Sequence, residues 1–149
     1  LNPLRVLDGH EGFVSECRFL SDRELITASG DTTLGVWDVE RGVCSQRLSG
    51  HSGDVMTFCL AQPAANDPGA CRTILSGGCD ATVRLWDIRS GVCQRIYVGQ
   101  EGDVNALSVF PDGQAFVSGA DDGALRLFDL RADREFRRYA EEGKTAGVQ

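Results

Sequence analysis

The chain has 149 residues, 42% hydrophobic and 25% charged, with 15 Lys+Arg against 22 Asp+Glu for a formal charge of −7. That length suffices for one domain with a real core. The acidity argues against nucleic acid or an anionic membrane as the main partner, because both reward a basic face, and no apolar run is long enough to insert across a membrane.

In chain order, residues 4–7 (LRVL) read as a short strand ending at Asp8-Gly9-His10. Strands follow over residues 14–19, 25–29, 33–38 and 44–48, broken by a Ser-Asp turn, a turn at Asp31 and Gly42, and running into Gly50-His51. The pattern restarts with 55–60, a long loop over 62–69, 74–76, a turn over 77–81, 82–87 and 93–98, ending at Gly99-Gln100. A third round has 104–110, a Pro-Asp-Gly turn at 111–113, 115–118, 124–129 and 135–139. Residues 140–149 show no strand pattern, and no helical periodicity appears anywhere, so the chain reads as all-β. The six cysteines (17, 44, 59, 71, 79 and 93) form no CxxC and have no His at ligand spacing. Most fall in apolar strand runs, which favours buried free thiols in a cytosolic protein, with no metal and no cofactor. The chain begins at Leu1, in the middle of a pattern, as a fragment would.

The rounds share one hairpin. ITASGDTTLGVWD, ILSGGCDATVRLWD and FVSGADDGALRLFD each place an Asp (31, 80, 122) six residues before an aromatic residue followed by Asp. The segments from Trp37 and from Trp86, WDVERGVCSQRLSGHSGDV and WDIRSGVCQRIYVGQEGDV, align without a gap. Setting aside the 62–69 loop, the period approaches the ~40–45 residues of a four-stranded propeller blade. The units run over 10–48, 51–98 and 101–139, and 140–149 is a tail or the start of another.

Residues 4 to about 139 resemble the WD-repeat family, whose blades are bracketed by Gly-His and Trp-Asp pairs such as Gly9-His10, Trp37-Asp38, Gly50-His51 and Trp86-Asp87. The resemblance implies a β-propeller, here three four-stranded blades of a presumed seven in an open arc. It also implies a hydrogen-bonded set in each blade: His10, Thr27, Asp31 and Trp37, then His51, Ser76, Asp80 and Trp86. Thr27, Ser76 and Ser118 each lie four residues before the turn Asp, as such a set needs. The third unit departs, with Gln100 for His and Phe128 for Trp beside Ser118 and Asp122. Gln can still donate to Asp122 but Phe cannot donate, so a shorter, weaker set is expected there. His, Ser and Asp also build nucleophilic triads, but a set repeated in every blade is a scaffold, whereas an active site is single; no catalytic residue is assigned.

Further strings narrow the family. SGDTT, GHSGDVM, SGGCDA, WDIRSG and above all RLFDLRADREF resemble the β subunit of heterotrimeric G proteins. The resemblance implies that Phe13 (where that family usually has Tyr), Asp54, Met56, Cys79, Asp103, Asn105 and Asp121 form part of the surface shared by the α subunit and effectors. His and the turn Asp must meet, so these residues gather on one rim, with Met56 and Asn105 following Asp54 and Asp103 at strand period and the 62–69 loop on the opposite face. By the same resemblance the chain binds no nucleotide, holds GDP-bound α, pairs with a γ subunit or γ-like domain through contacts outside these residues, and lies in the cytoplasm at the inner face of the plasma membrane through lipidated partners. The alternative is a generic WD-repeat scaffold or adaptor in another complex.

Overall fold

The computed structural model describes residues 4–61 and 73–130, and 135–140 as backbone. Among the described residues twelve strands form three four-stranded antiparallel sheets, each in sequence order. The first holds β1 (Val14–Phe19), β2 (Glu24–Ser29), β3 (Thr33–Asp38) and β4 (Val43–Ser49). The second holds β5 (Val55–Leu60), β6 (Thr73–Gly78), β7 (Val83–Asp87) and β8 (Val92–Tyr97), and the third β9 (Val104–Val109), β10 (Ala115–Ala120), β11 (Ala124–Asp129) and β12 (Glu135–Ala140). No helix occurs among the described residues. β1 lies beside β5 and β5 beside β9, so the first strands line the inner edge of an open, unclosed arc of three blades.

A single sheet has no interior, so the core forms between blades. Ile26, Leu34, Val36 and Leu48 of the first blade pack against Val55, Phe58, Ile74 and Trp86 of the second. Leu75, Val83 and Tyr97 of the second meet Val104, Phe116 and Phe128 of the third. Each large apolar side chain so enclosed contributes on the order of 1.5–3 kcal/mol. Tyr97 also donates its hydroxyl across the junction to the Leu130 carbonyl at 2.8 Å. Phe128 stacks on Phe116 with centroids 5.0 Å apart and planes 10° from parallel.

Four readings of the sequence change. Residues 4–7 are not a strand, because among the described residues no other strand lies beside them to accept their hydrogen bonds. β6 runs through Gly77 and Gly78, which belong to the strand and not to the turn. Their missing side chains serve close approach: a Cβ on Gly77 would lie 2.5 Å from Val104 Cγ1, and one on Gly78 2.2 Å from the Asp54 carbonyl oxygen. β10 likewise continues to Ala120. Of the five described cysteines, all free, only Cys59 is buried; Cys17 and Cys79 are exposed. The 62–69 loop, Cys71 and residues 141–149 lie outside the described residues.

Each first strand carries a bulge near its start. Val14 pairs with Ser29 and Glu16 with Ala28, leaving Ser15 extra; Met56 and Asn105 are the equivalent extra residues in β5 and β9. A bulge interrupts period-2 alternation and re-aims side chains, so it replaces simple alternation as the reason Met56 and Asn105 are placed as they are. In the first blade it lets consecutive residues clip the neighbouring blade. Ser15 donates to the Val55 carbonyl at 2.6 Å, while Glu16 accepts from the Phe58 amide and the Thr57 hydroxyl, both at 3.3 Å.

Candidate functional site

The hairpin turns and the loops preceding each first strand meet at one end of the arc, where each turn aspartate is held from below. In the first blade Trp37 Nε1–H donates to Thr27 Oγ1 at 2.8 Å, the Thr27 hydroxyl reaches His10 Nε2 at 2.6 Å, and His10 Nδ1 meets Asp31 Oδ2 at 2.8 Å. The second blade repeats this with Trp86, Ser76, His51 and Asp80 at 2.8, 2.7 and 2.8 Å. A carboxylate only accepts, so Nδ1 carries the imidazole proton and Nε2 accepts from the hydroxyl. Asp31 also takes the Glu11 amide and the Thr33 amide and hydroxyl; Asp80 takes those of Ser52 and Thr82. These donors hold the turn although Thr32 and Ala81 sit at φ 74° and 61°, a region where the third blade has Gly123.

Burial alone raises both carboxyls, but the bonds from Thr33 and His10 leave Asp31 far below the usual carboxylate range, and those from Thr82 and His51 leave Asp80 lowered too. Burial, aided by the Arg84 charge, lowers the proton affinity of His51 against the pull of Asp80. Hydroxyl, imidazole and carboxylate here have the spacing of a nucleophilic triad. Ser76 is nevertheless 0% exposed and its oxygen already takes an indole N–H, so no substrate reaches it.

The third blade differs from what its residue types suggest. Gln100 donates to Ser118 Oγ at 2.7 Å, not to Asp122. Asp122 is instead gripped by Arg126, whose Nη1 and Nη2 lie 3.2 and 2.5 Å from its two oxygens, and Nη1 also donates to Gln100 Oε1 at 3.3 Å. The set is therefore as long as the others and closed by a charge. A guanidinium spans the distance that an imidazole and indole divide between them. Arg126 is the residue that the sequence reading missed; the signal was a lone cation in the apolar run ALRLFD, four residues beyond the turn aspartate.

Above these sets lies a rim built from equivalent pairs. The residue before each turn aspartate donates its N–H to the carbonyl of the residue three beyond His or Gln: Gly30 to Phe13 and Cys79 to Asp54, each at 2.8 Å, and Asp121 to Asp103 at 2.9 Å. Phe13 is 54% exposed, and its ring covers Gly30 so closely that a Cβ there would lie 2.3 Å from it. Asp54 and Met56 are half-buried, and Asn105 and Asp121 are exposed and bonded to each other through the Asn105 amide. Partial burial first, then the facing Asp103 carboxylate and the charges of Asp54 and Asp121, push the Cys79 thiol up to about 11. The structure thus brings Asp54, Cys79, Asp103, Asn105 and Asp121 together across the second and third blades, with Phe13 and Gly30 as the apolar station of the first. Among the described residues no group of three or more His, Cys, Asp or Glu is disposed to hold a metal ion.

Stacked four-stranded blades, each locking its turn with a buried polar set and offering a paired rim above it, define a WD-repeat propeller arc. The family model described as "WD domain, G-beta repeat" matches residues 1–38, 42–87 and 91–129, and the chain belongs to that family. It is 48% identical over 140 residues to guanine nucleotide-binding protein subunit beta-5b of Danio rerio, covering 93% of this chain and 34% of that protein. It is 44% identical over 150 residues to guanine nucleotide-binding protein subunit beta of Oryza sativa subsp. indica, covering 93% and 37%. The match to guanine nucleotide-binding protein subunit beta of Saccharomyces cerevisiae is 32% over 150 residues, covering 97% and 35%. The chain is thus a homologue of G-protein β subunits that spans about a third of their length.

Proposed function

We propose that the chain is a non-catalytic part of a G-protein β propeller whose rim binds the GDP-bound α subunit and, once that subunit leaves, effectors. The single observation that carries this reading is the paired rim, in which Phe13, Asp54, Cys79, Asp103, Asn105 and Asp121 gather above buried sets that fix the turns; we assign Met56, the bulge residue of β5, to the same surface. Three carboxylates about one thiol favour a partner that brings Lys or Arg to the second and third blades, while Phe13 offers an apolar contact at the first. The buried hydroxyls support a role without turnover. A γ subunit or γ-like domain would be the standing partner, through contacts outside these residues, and lipidated partners would hold the assembly at the inner face of the plasma membrane.

Titration of immobilised GDP-bound α with the parent chain and with Asp54→Ala/Asp103→Ala tests the reading. Each lost charge-assisted contact costs about 1–3 kcal/mol, so the double variant binds at least tenfold more weakly while melting like the parent. Equal affinities for both proteins, or equal affinity of the parent for an unrelated protein, would remove the rim from the α site.

A further inference from the structure

Beneath the rim of the third blade lies a guanidinium shut off from solvent. Arg126 is 0% exposed, holds both oxygens of Asp122, and reaches Gln100, which in turn holds Ser118. Asp122 Oδ1 accepts the Ala124 amide at 3.0 Å, which fixes the turn. The residue just before it, Asp121, makes the rim: its amide is on the Asp103 carbonyl and its carboxylate takes the Asn105 amide. The position two beyond the turn aspartate is Thr33 or Thr82 in the other blades and Ala124 here, so the hydroxyl that helps those turns is missing and the guanidinium stands in its place.

We infer that Arg126 is the positioning residue of the third rim station, and that it frees Asp103, Asn105 and Asp121 from the imidazole protonation state on which the second station, above His51, depends. His10 is faced by Asp31 and Thr27, with Arg47 Nη1 3.7 Å from Asp31. His51 is faced by Asp80, Ser76, Thr82 and the Arg84 charge. A proton on His51 would turn its Nε2 from acceptor to donor, aimed at a Ser76 hydroxyl that already takes the Trp86 indole N–H, so acid favours opening of that station. The third station has no imidazole, and a guanidinium keeps its charge throughout the physiological range. The geometric claim stands independently of the proposed partner; only its consequence for binding rests on that reading. If both hold, mild acid weakens a partner's grip on the second station and leaves the third in place.

The three equivalent rim amides of Gly30, Cys79 and Asp121 report each station separately by hydrogen exchange, corrected for intrinsic rates. Going from about pH 7.5 to about pH 5.5, protection of Cys79 above His51 falls severalfold and that of Asp121 stays. Arg126→Met lowers Asp121 protection about tenfold at both values without touching Gly30 or Cys79, and Arg126→Lys, which lacks the fork, recovers only part. Undiminished Asp121 protection in Arg126→Met, or parallel loss at all three amides, overturns the inference. Should Arg126→Met not fold, the triple variant Gln100→His/Arg126→Gly/Phe128→Trp, which carries the His, Gly and Trp of the first blade, decides: Asp121 protection that becomes acid-sensitive supports the inference, and protection that stays flat refutes it. Affinity for GDP-bound α is measured on the same proteins. A preserved exchange contrast with no change in binding counts against the α-subunit reading alone.

Discussion

Arg84 and Arg126 stand at the same place in their blades, four residues beyond the turn aspartate, yet only Arg126 grips that aspartate. In the second blade His51 already holds Asp80, and Arg84 sits with Trp86 around Gly50, its Nε buried without a hydrogen-bond partner. The second blade thus carries the parts of both kinds of lock.

His51→Gln should therefore be far milder than His51→Ala. The glutamine can hold Ser76 as Gln100 holds Ser118, and Arg84 is free to turn to Asp80. His51→Ala strands Ser76 and Asp80 and costs about 2–3 kcal/mol, whereas His51→Gln costs about 1 kcal/mol or less. Adding Arg84→Met to His51→Gln should bring the loss to the alanine level, read as a coupling in a double-mutant cycle of urea melts.

Stability should fall in mild acid. The folded His51 has a lowered pKa, so below its ordinary value, about 6.5, the unfolded chain binds a proton that the native blade refuses. The stability this site contributes is complete above that value and declines as pH falls towards the folded one, by at most about 1.4 kcal/mol per unit. A second decline sets in below about pH 4, where Asp31 and Asp80, both lowered in the fold, lose their advantage over the unfolded carboxyls. His51→Gln should flatten the first decline and leave the second, in melts taken across the pH range.

Adjacent residues of one turn should behave oppositely. Cys79 is exposed but its thiol is pushed up to about 11, so alkylation at neutral pH is slow, and Asp103→Asn should speed it severalfold by removing a facing charge. Cys59, buried and pushed up to about 12, labels only on unfolding. Mass spectrometry after timed alkylation reads all three. Cys79→Ala should leave the melting temperature nearly unchanged. Asp80→Ala, by stranding His51 and the Ser52 and Thr82 amides, should lower stability by about 1–3 kcal/mol or more.

Two equivalent strand glycines should also part company. A Cβ on Gly77 would lie 2.5 Å from Val104 across the blade junction, whereas one on Gly119 would meet only Ala106 and Leu125 at 3.5 Å. Gly77→Ala should destabilise by about 1–3 kcal/mol through overpacking. Gly119→Ala should be neutral or stabilising by a few tenths to about 1 kcal/mol, since a strand glycine costs entropy. Thermal melts of the two variants make the comparison.

The amino-acid sequence alone determined the all-β class, the three-fold repeat and most strand positions. Turn glycines and aspartates recur at fixed offsets from an aromatic residue, and alternation within one strand records which sheet face is covered. The pairing of Trp37 with Thr27, or of Trp86 with Ser76, was implied by the WD-repeat resemblance, because both partners belong to one blade and keep its spacing. Tertiary structure decided what happens between blades and under the rim. Gly77 and Gly78 read as a turn because the backbone and side chains pressing on them, Asp54 and Val104, are more than twenty residues away. The bulges that place Ser15, Met56 and Asn105 come from pairing register, which composition does not reveal. Arg126 was assigned no role from the sequence, and Arg84 shares its position. Only packing decides that one guanidinium replaces the imidazole while the other stands beside it, because a long flexible cation takes whichever buried carboxylate its neighbours leave unheld.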